Sequence, residues 1–226
     1  MFSNIFLKWT NYILVYIYKK NVKKFGFTPR GLFWNSKESQ ENRFKVLNEL
    51  LLKYTKVKND NIISIADIGC GYGDFYLYLK KYFDRKFTYK GYDINIDFIN
   101  FCKNTNKENN EIFFVSDHPL DNSDFSIMNG TYNYAVYDSI NKWEDYLIYN
   151  LKKCFENSNK GIIFSLQNST TPKIVNNIYY TSRFLMENKL KEIFKNVYSF
   201  YFKSTPNDVY FVILRNWKID LFPCFI

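Results

Sequence analysis

A short apolar run that ends in three closely spaced glycines constrains the fold more than any other feature of this sequence. Residues 62–68 are rich in β-branched side chains, as the buried strands of parallel sheets are. Gly69, Gly71 and Gly73 follow at once, and apolar residues then recur at helical spacing from Phe75. Glycines let a backbone turn sharply and approach a ligand closely. The segment predicts a strand, a tight turn and a helix, with the turn either binding a ligand or serving as a plain connection.

The remainder of the chain alternates between strand-like and helix-like patterns. Further strands are expected at residues 87–92, 111–116, 125–128, 161–166, 197–203 and 209–215. Helices are expected at residues 4–24, from Ser36 to 54, and at 75–82, 95–103, 143–154 and 178–194. Alternation of this kind predicts right-handed βαβ units. Only a short turn joins the last two strands, so they must form an antiparallel hairpin. We therefore expect an α/β, Rossmann-like fold with a seven-stranded, mostly parallel sheet and helices on both faces.

The four cysteines, Cys70, Cys102, Cys154 and Cys224, show no metal-binding or disulfide spacing, and His118 is the only histidine. A structural zinc site needs four clustered ligands, so no metal is expected. Cysteines without a disulfide framework favour a reducing, cytoplasmic setting.

The chain is basic, with a formal charge of +9, but this charge alone does not identify the class of binding partner. Its lysines are scattered, which favours a solvated surface and lends weak support to an anionic ligand. The N-terminal helix has an apolar stretch at residues 11–18 followed by Lys19, Lys20, Lys23 and Lys24. That stretch is too short to cross a bilayer. The helix is expected to pack on its own domain, with contact to a membrane surface as the alternative.

Three positions after the glycines suit the binding of a nucleoside-type cofactor. The start of the helix after Gly73 can hold an anionic group. The spacing is G-x-G-x-G with Asp74 next, which disfavours the dinucleotide fingerprint G-x-G-x-x-G. Asp93, at the end of the second strand, can accept hydrogen bonds from ribose hydroxyls, or else it caps the next helix. Asp117, after the third strand, can bind an adenine amino group or form a turn.

Two further groups of residues are candidates for chemistry. His118 could be a general base because its pKa is ordinarily near neutrality, although adenine packing or surface exposure is favoured. The segment from Asn129 to Asn133 follows the fourth strand. Its backbone oxygens and the ring of Tyr132 could surround a cation, or the segment could be a plain turn.

These motifs together resemble a family of small bacterial class I S-adenosylmethionine-dependent methyltransferases, some of which are similar to enzymes encoded beside surface-polysaccharide genes. The resemblance runs from about Lys19 to Arg215 and rests on the segments at residues 34–40, 43–44, 67–75, 91–94, 129–133 and 206–208. One departure is Asn129, where a small residue such as serine is expected.

The resemblance implies S-adenosyl-L-methionine as cofactor and a division into an N-terminal arm (1–58) that covers the cofactor cleft, a core (59–216) and a tail (217–226). Arg43 would pair with the methionine carboxylate. The cofactor-binding residues would be Arg43, Asp67, Gly69, Cys70, Gly71, Gly73, Asp93, Ile94, Asp117, Asn129 and Gly130. The acceptor would meet Trp34, Gln40, Tyr132 and Asn133, and the catalytic candidates are His118 and Tyr132.

The implied reaction is O-methylation of a small, anionic acceptor, such as a sugar or phosphoryl-type precursor of a surface polysaccharide. Methyl transfer from a sulfonium depends mainly on proximity and alignment, so it does not require a general base. Methylation of RNA is the alternative enzymatic function, although the sequence has no dense basic block. A cofactor-binding scaffold without catalysis is the non-enzymatic alternative.

Overall fold

The computed structural model describes residues 4–55 and 62–215, which form one twisted sheet with helices on both faces. The helices are α1 Asn4–Phe25, α2 Lys37–Tyr54, α3 Asp74–Tyr82, α4 Ile96–Thr105, α5 Ile140–Glu156 and α6 Arg183–Lys191. The strands are β1 Ile63–Ile68, β2 Phe87–Asp93, β3 Phe113–Val115, β4 Ser123–Asn129, β5 Ser158–Asn168, β6 Lys173–Val175, β7 Ile178–Thr181, β8 Asn196–Phe200 and β9 Asp208–Leu214. Short 3-10 helices span Pro29–Leu32 and Lys107–Ile112.

The strand pairing confirms the predicted fold class. Strands β3, β2, β1, β4 and β5 lie side by side in that order and are parallel. Strand β9 pairs antiparallel with β5 on one side and with β8 on the other, which is the predicted C-terminal hairpin. The carboxyl ends of β1, β2 and β4 therefore meet at one edge of the sheet, where ligands of open α/β folds bind.

Two of the nine strands were not predicted. Residues 178–181 form β7 rather than the start of a helix, and the helix expected at 178–194 spans only Arg183–Lys191. The sequence Ile-Tyr-Tyr-Thr is rich in β-formers, and its last two residues pair in parallel with Gln167 and Asn168 at the end of β5. Strand β6 completes this added hairpin.

The sheet is buried between two apolar clusters. Along β5, Ile162 and Phe164 face a cluster with α1, α5 and α6, whereas Ile163 faces a second cluster with α2 and α3. Every residue of β9 is buried, as expected for a strand that is covered on both faces. The sheet thus forms a rigid base from which the strand-end loops project.

The N-terminal segment is tied closely to this core. Leu7 and Leu14 of α1 are buried in the first cluster. Ser36 caps α2, because its hydroxyl accepts a hydrogen bond from the Ser39 N–H at 3.0 Å. Within residues 4–55 and 62–215, no helix is long and apolar enough to span a bilayer. The expected boundary at 58/59 and the tail at 217–226 lie outside the described residues.

Candidate functional site

The glycine loop between β1 and α3 adopts a conformation that only glycine takes without strain. Gly69, Gly71 and Gly73 have φ angles of 73°, 55° and 78°. A Cβ atom on Gly69 would lie 2.6 Å from a side-chain carbon of Thr131, and one on Gly71 would lie 2.8 Å from Leu32. The loop backbone is therefore packed closely against its neighbours, and the N–H groups of Gly69 and Cys70 donate to the Tyr92 carbonyl at 2.7 and 3.0 Å.

Asp93 at the end of β2 holds this loop in place. One carboxylate oxygen accepts the Gly71 N–H at 3.0 Å, and the other accepts the Asn95 N–H at 2.8 Å. Burial raises the pKa of Asp93 to about 6, although these N–H groups oppose the rise. Each carboxylate oxygen can accept more than one hydrogen bond. Asp93 can therefore bind ligand hydroxyls while it continues to hold the loop.

Asp117 is fixed by three neighbours beyond the end of β3. The amide nitrogen of Asn11 in α1 donates to one of its oxygens at 3.0 Å, the His118 ring contacts the other, and Lys153 lies at 3.9 Å. Burial alone would raise the pKa of Asp117, but these partners lower it below its ordinary value. Asp117 thus stays ionised and can accept a hydrogen bond. His118 orients it and does not line either of the cavities described next.

The first cavity lies over the ends of β1, β2 and β4. Its empty volume, including open solvent at the mouth, is about 780 Å³. The walls comprise strand-end residues from the sheet, Tyr146 and Asn150 of α5, and a roof from the N-terminal segment. That roof consists of Leu14, Val15, Tyr18, Leu32 and Trp34.

Two buried amide groups in this cavity lack a hydrogen-bond partner among the described residues. The side-chain nitrogen of Asn95 has none, while its oxygen accepts the Asp97 N–H and so caps α4. The side-chain nitrogen of Asn129 also has none, while its oxygen accepts from Ser165 at 3.3 Å. Buried polar groups are normally paired. Both nitrogens are therefore available as donors to a ligand.

The loop after β4 closes the floor of the cavity. The Ser165 hydroxyl accepts the Gly130 N–H at 3.1 Å, and the Thr131 hydroxyl donates to the Ile68 carbonyl at 2.7 Å. A Cβ atom on Gly130 would lie 2.7 Å from the Trp34 ring, so the indole rests directly on the backbone. Tyr132 also lines the cavity, and burial raises the pKa of its hydroxyl well above the ordinary value.

A second, wider cavity adjoins the first. The two share Tyr18, Leu32, Trp34 and Gly130. The second has an empty volume of about 1590 Å³ including its mouth, and hydroxyl, amide and aromatic side chains predominate in its lining. Its lining includes Arg43, Asn133, Tyr134, Gln167, Tyr180 and Asp208.

A buried ion pair forms one wall of the second cavity. Arg43 of α2 pairs with Asp208 at 2.8 Å, and Gln167 donates to the same carboxylate at 2.6 Å. Burial raises the pKa of Asp208, although Arg43 opposes the rise. The Arg43 guanidinium also lies 4.9 Å from the centre of the Trp34 ring, and its Nε has no partner among the described residues.

The structure brings together many of the predicted site residues. Around the first cavity it places Trp34, Gly69, Gly71, Asp93, Ile94, Asp117, Asn129, Gly130 and Tyr132, whereas Arg43 and Asn133 line only the second.

The remaining predicted residues line neither cavity. Asp67 lies below the glycine loop, where it accepts the Tyr89 hydroxyl at 2.6 Å. Cys70 is buried, and Gly73 is the cap of α3. Gln40 donates to Asp74 at 3.1 Å and so joins α2 to α3.

Sequence reasoning missed the side chains that α1 contributes. Asn11 binds Asp117 and also accepts the Tyr146 hydroxyl at 2.6 Å. Tyr18 lies between the two cavities, with its ring against Phe33 and Phe98. The helical spacing of Leu7, Asn11, Leu14 and Tyr18 could have identified this inner face. Among the described residues, no group of three metal-binding side chains could hold an ion.

No protein-family model matches the sequence, and no curated protein matches it. Solved structures do resemble the chain. A Leishmania major S-adenosylmethionine-dependent methyltransferase superposes with a TM-score of 0.61 at 12% identity, covering 88% of this chain and 82% of the other. Magnesium protoporphyrin IX methyltransferase from Synechocystis with bound S-adenosylhomocysteine gives 0.57 at 12% identity, covering 80% and 86%.

A class I methyltransferase described as putative, from Listeria monocytogenes, gives a TM-score of 0.54 at 14% identity and covers 89% of this chain and 68% of the other. At these identities the similarity concerns the fold. The chain has the Rossmann-like fold of class I methyltransferases.

Proposed function

We propose that this chain is an S-adenosylmethionine-dependent methyltransferase that methylates an oxygen atom of a small acceptor. The observation that carries the proposal is the pair of adjoining cavities at the carboxyl edge of the sheet. The first is lined by the glycine loop, Asp93 and Asp117, and the second shares the Tyr18, Trp34 and Gly130 wall with it. A cofactor in one cavity and an acceptor in the other would meet at that shared wall.

The residues of the first cavity fit S-adenosylmethionine. The ionised Asp117 can accept a hydrogen bond from an adenine amino group, and Asp93 can accept hydrogen bonds from the ribose hydroxyls. Gly69 and Gly71 line the cavity, so the loop backbone can lie against a ligand there. The unpartnered nitrogens of Asn95 and Asn129 are donors for hydroxyl or carboxylate oxygens. When bound, the cofactor supplies a methyl group on a positively charged sulfur.

Arg43 has a different role in this proposal from the one implied by the family resemblance. Its guanidinium lines the second cavity and is paired with Asp208, so we do not place it on the methionine carboxylate. The α1 residues Asn11 and Tyr18 take part instead by closing the first cavity. Asn11 holds Asp117, and Tyr18 separates the two cavities.

The chain would catalyse the transfer mainly by alignment. The walls shared by the two cavities would hold an acceptor oxygen about 3 Å from the methyl group that a bound cofactor supplies and would align the two for in-line transfer. A hydroxyl proton of the acceptor would be released to water through the open mouth of the second cavity. We assign no general base, because His118 lines neither cavity. Tyr132 forms part of the cavity wall and does not transfer a proton, since burial keeps the pKa of its hydroxyl well above the ordinary value.

The lining of the second cavity favours a sugar or a phosphoryl-type sugar derivative, which we propose as a precursor of a surface polysaccharide. Amide side chains of Asn133 and Gln167 offer donors and acceptors for hydroxyl groups, and the rings of Trp34 and Tyr180 offer flat apolar surface. The Nε of Arg43 has no partner among the described residues and is the guanidinium donor left for an acceptor oxygen. Because Asp208 neutralises Arg43 and Glu38 also lines this cavity, we expect recognition to rest on the acceptor's hydroxyl groups more than on its charge.

Calorimetry tests the cofactor half of the proposal. The purified chain should bind S-adenosylmethionine and S-adenosylhomocysteine but not NAD, because Asp74 stands where the dinucleotide fingerprint requires a glycine. Binding of NAD alone would refute it. Binding of S-adenosylhomocysteine without methyl transfer to any acceptor pool would instead favour a cofactor-binding scaffold.

The acceptor half is tested with S-adenosylmethionine labelled in its methyl group. The protein is incubated with total RNA and, separately, with an extract of nucleotide sugars and phosphometabolites. We expect label in the second pool only. RNA methylation is the alternative, and contacts with many phosphates would give a steep salt dependence. Label entering RNA at physiological salt, with none in the small-molecule pool, would replace our acceptor class and leave the cofactor assignment unaffected.

A further inference from the structure

The outer face of α1 carries a stripe of exposed apolar and basic side chains. The stripe consists of Ile5, Trp9, Tyr12, Tyr16, Lys20 and Lys23, which recur at steps of three and four residues and therefore lie in one row. The first four are 78%, 57%, 64% and 60% exposed. The rings of Trp9 and Tyr12 stack on each other, with their centres 5.7 Å apart. Large apolar side chains grouped in this way mark a binding surface more often than scattered ones do.

The opposite face of α1 is already used by the domain. Leu7, Thr10 and Leu14 are buried against the core, and Tyr18 closes the cavities. The domain covers only one side of α1, so the large apolar side chains on its uncovered side need a separate explanation.

The charge pattern favours an anionic membrane surface. Residues 4–25 contain five lysines and no acidic residue, and the outer stripe runs from apolar rings into Lys20 and Lys23. Tyrosine and tryptophan rings suit the boundary between lipid headgroups and acyl chains, and lysines attract anionic headgroups. Lys19 is the one lysine of the helix with an ion-pair partner among the described residues, Asp97 at 3.1 Å.

A second copy of this chain is a poorer occupant. A two-fold contact brings the same patch of both copies together, so lysines of one copy would find no carboxylate on the helix that faces them. We propose that α1 docks the protein on an anionic bilayer, with the stripe from Ile5 to Lys23 lying in the plane of the interface. The inner face of the same helix meanwhile closes the cofactor cavity.

Vesicle flotation with the full chain tests this proposal. The protein should float with vesicles of phosphatidylcholine and phosphatidylglycerol but not with phosphatidylcholine alone. The triple variant Trp9→Ser, Tyr12→Ser, Tyr16→Ser should lower the partition coefficient about tenfold or more, since it removes the inserted rings. The variant Lys20→Gln, Lys23→Gln should lower it by about fivefold per lysine, which corresponds to ~1 kcal/mol for each cation near the surface.

A matched control uses exposed apolar residues elsewhere. Phe184 and Leu185 on α6 are 70% and 51% exposed, and the variant Phe184→Ser, Leu185→Ser should float like the wild type. Circular dichroism and S-adenosylhomocysteine binding check that each variant is folded. Absence of flotation with anionic vesicles, or equal flotation of the control and stripe variants, would overturn the proposal. Dimerisation or RNA binding that needs the stripe, without vesicle binding, would assign the face to those partners instead.

Discussion

Single carboxylates at the strand ends have distinct surroundings, and these surroundings decide what each can do. Asp93 lines the first cavity while both of its oxygens hold backbone N–H groups. Asp67 lies two residues before the first glycine but points into the core, where Tyr89 donates to it. Two acidic residues of similar sequence context therefore differ in surroundings. Asp93 faces the first cavity, and Asp67 faces the protein interior.

Replacing Asp93 by asparagine should weaken cofactor binding. Asp93→Asn removes a charged acceptor from ligand hydroxyls, and hydrogen bonds to charged groups are worth roughly 1.5–3 kcal/mol each. We expect the affinity for S-adenosylhomocysteine, measured by calorimetry at pH 8, to fall about tenfold or more. The control Asp121→Asn changes an exposed carboxylate paired with Lys90 and should leave the affinity unchanged. Equal affinities of wild type and Asp93→Asn would remove Asp93 from the cofactor site.

Replacing Asp67 by asparagine should stabilise the fold at alkaline pH. Burial raises the pKa of Asp67 from 3.8 to about 7, although the Tyr89 hydroxyl opposes the rise. Because the folded pKa lies above the unfolded one, the carboxylate has no effect on stability below pH 4. It costs stability increasingly up to pH 7, on the order of a few kcal/mol.

The free energy of unfolding of Asp67→Asn should therefore exceed that of the wild type at pH 8, and the difference should shrink toward pH 4. Asparagine keeps an oxygen that can accept from Tyr89, so packing is preserved. Urea denaturation at a series of pH values measures the difference. The exposed control Asp84→Asn should show no such trend, and parallel curves for Asp67→Asn and wild type would contradict the assignment.

At the scale of elements, α1 joins the loop after β3 to α5 across the cavity. Asn11 donates to Asp117 and accepts from Tyr146, so one side chain ties the helix to two other elements. The helix thereby forms part of the cavity roof instead of serving only as an attached arm. Any entry of a cofactor under this roof requires these hydrogen bonds to open or the ligand to pass beside them.

Removing the Asn11 side chain should loosen the roof. In Asn11→Ala, Asp117 and Tyr146 each lose a partner, and the helix loses its polar contact with the cavity wall. We expect S-adenosylhomocysteine to dissociate about fivefold to tenfold faster, since one charge-assisted hydrogen bond is lost. Stopped-flow displacement measures the rate. Tyr12→Ala, on the opposite face of the same helix, is the matched control and should leave the rate unchanged.

At the scale of the whole molecule, contacts between distant parts of the chain build the second cavity. Arg43 and Asp208 are 165 residues apart in sequence and join α2 to the start of β9. The pair is almost completely removed from solvent. Breaking one partner of a buried ion pair leaves an uncompensated charge, whereas replacing both partners costs much less.

We therefore expect Arg43→Met to lower the free energy of unfolding by about 3–5 kcal/mol. The double variant Arg43→Met, Asp208→Asn should recover part of this loss, because the asparagine is neutral and can still accept from Gln167. Urea denaturation measures both. Lys90→Met breaks an exposed pair and should cost about 0–1 kcal/mol. A single-variant loss as small as that of Lys90→Met would mean that the Arg43 pair contributes like a surface pair.

The sequence by itself determined the features that depend on neighbours along the chain. The strand before the glycines, the helices with clear spacing, the C-terminal hairpin and the placement of Asp93 and Asp117 at strand ends are all local consequences of periodicity and turn chemistry. Parallel strands then bring those ends to one edge of the sheet, whatever the details of packing. The fold class, and the meeting of these strand ends at one side of the first cavity, could therefore be predicted.

Only the tertiary structure decided which side chains face one another across long sequence separations. Asn11 and Asp117 are 106 residues apart, and no local pattern indicates their contact. The same holds for Arg43, whose long side chain reaches Asp208 rather than the first cavity. Residues 178–181 form a strand because they pair with backbone groups at the end of β5. The local sequence pattern does not reveal that this partner is available. Burial and partner choice depend on the packed chain, and so they appear only once the whole chain is folded.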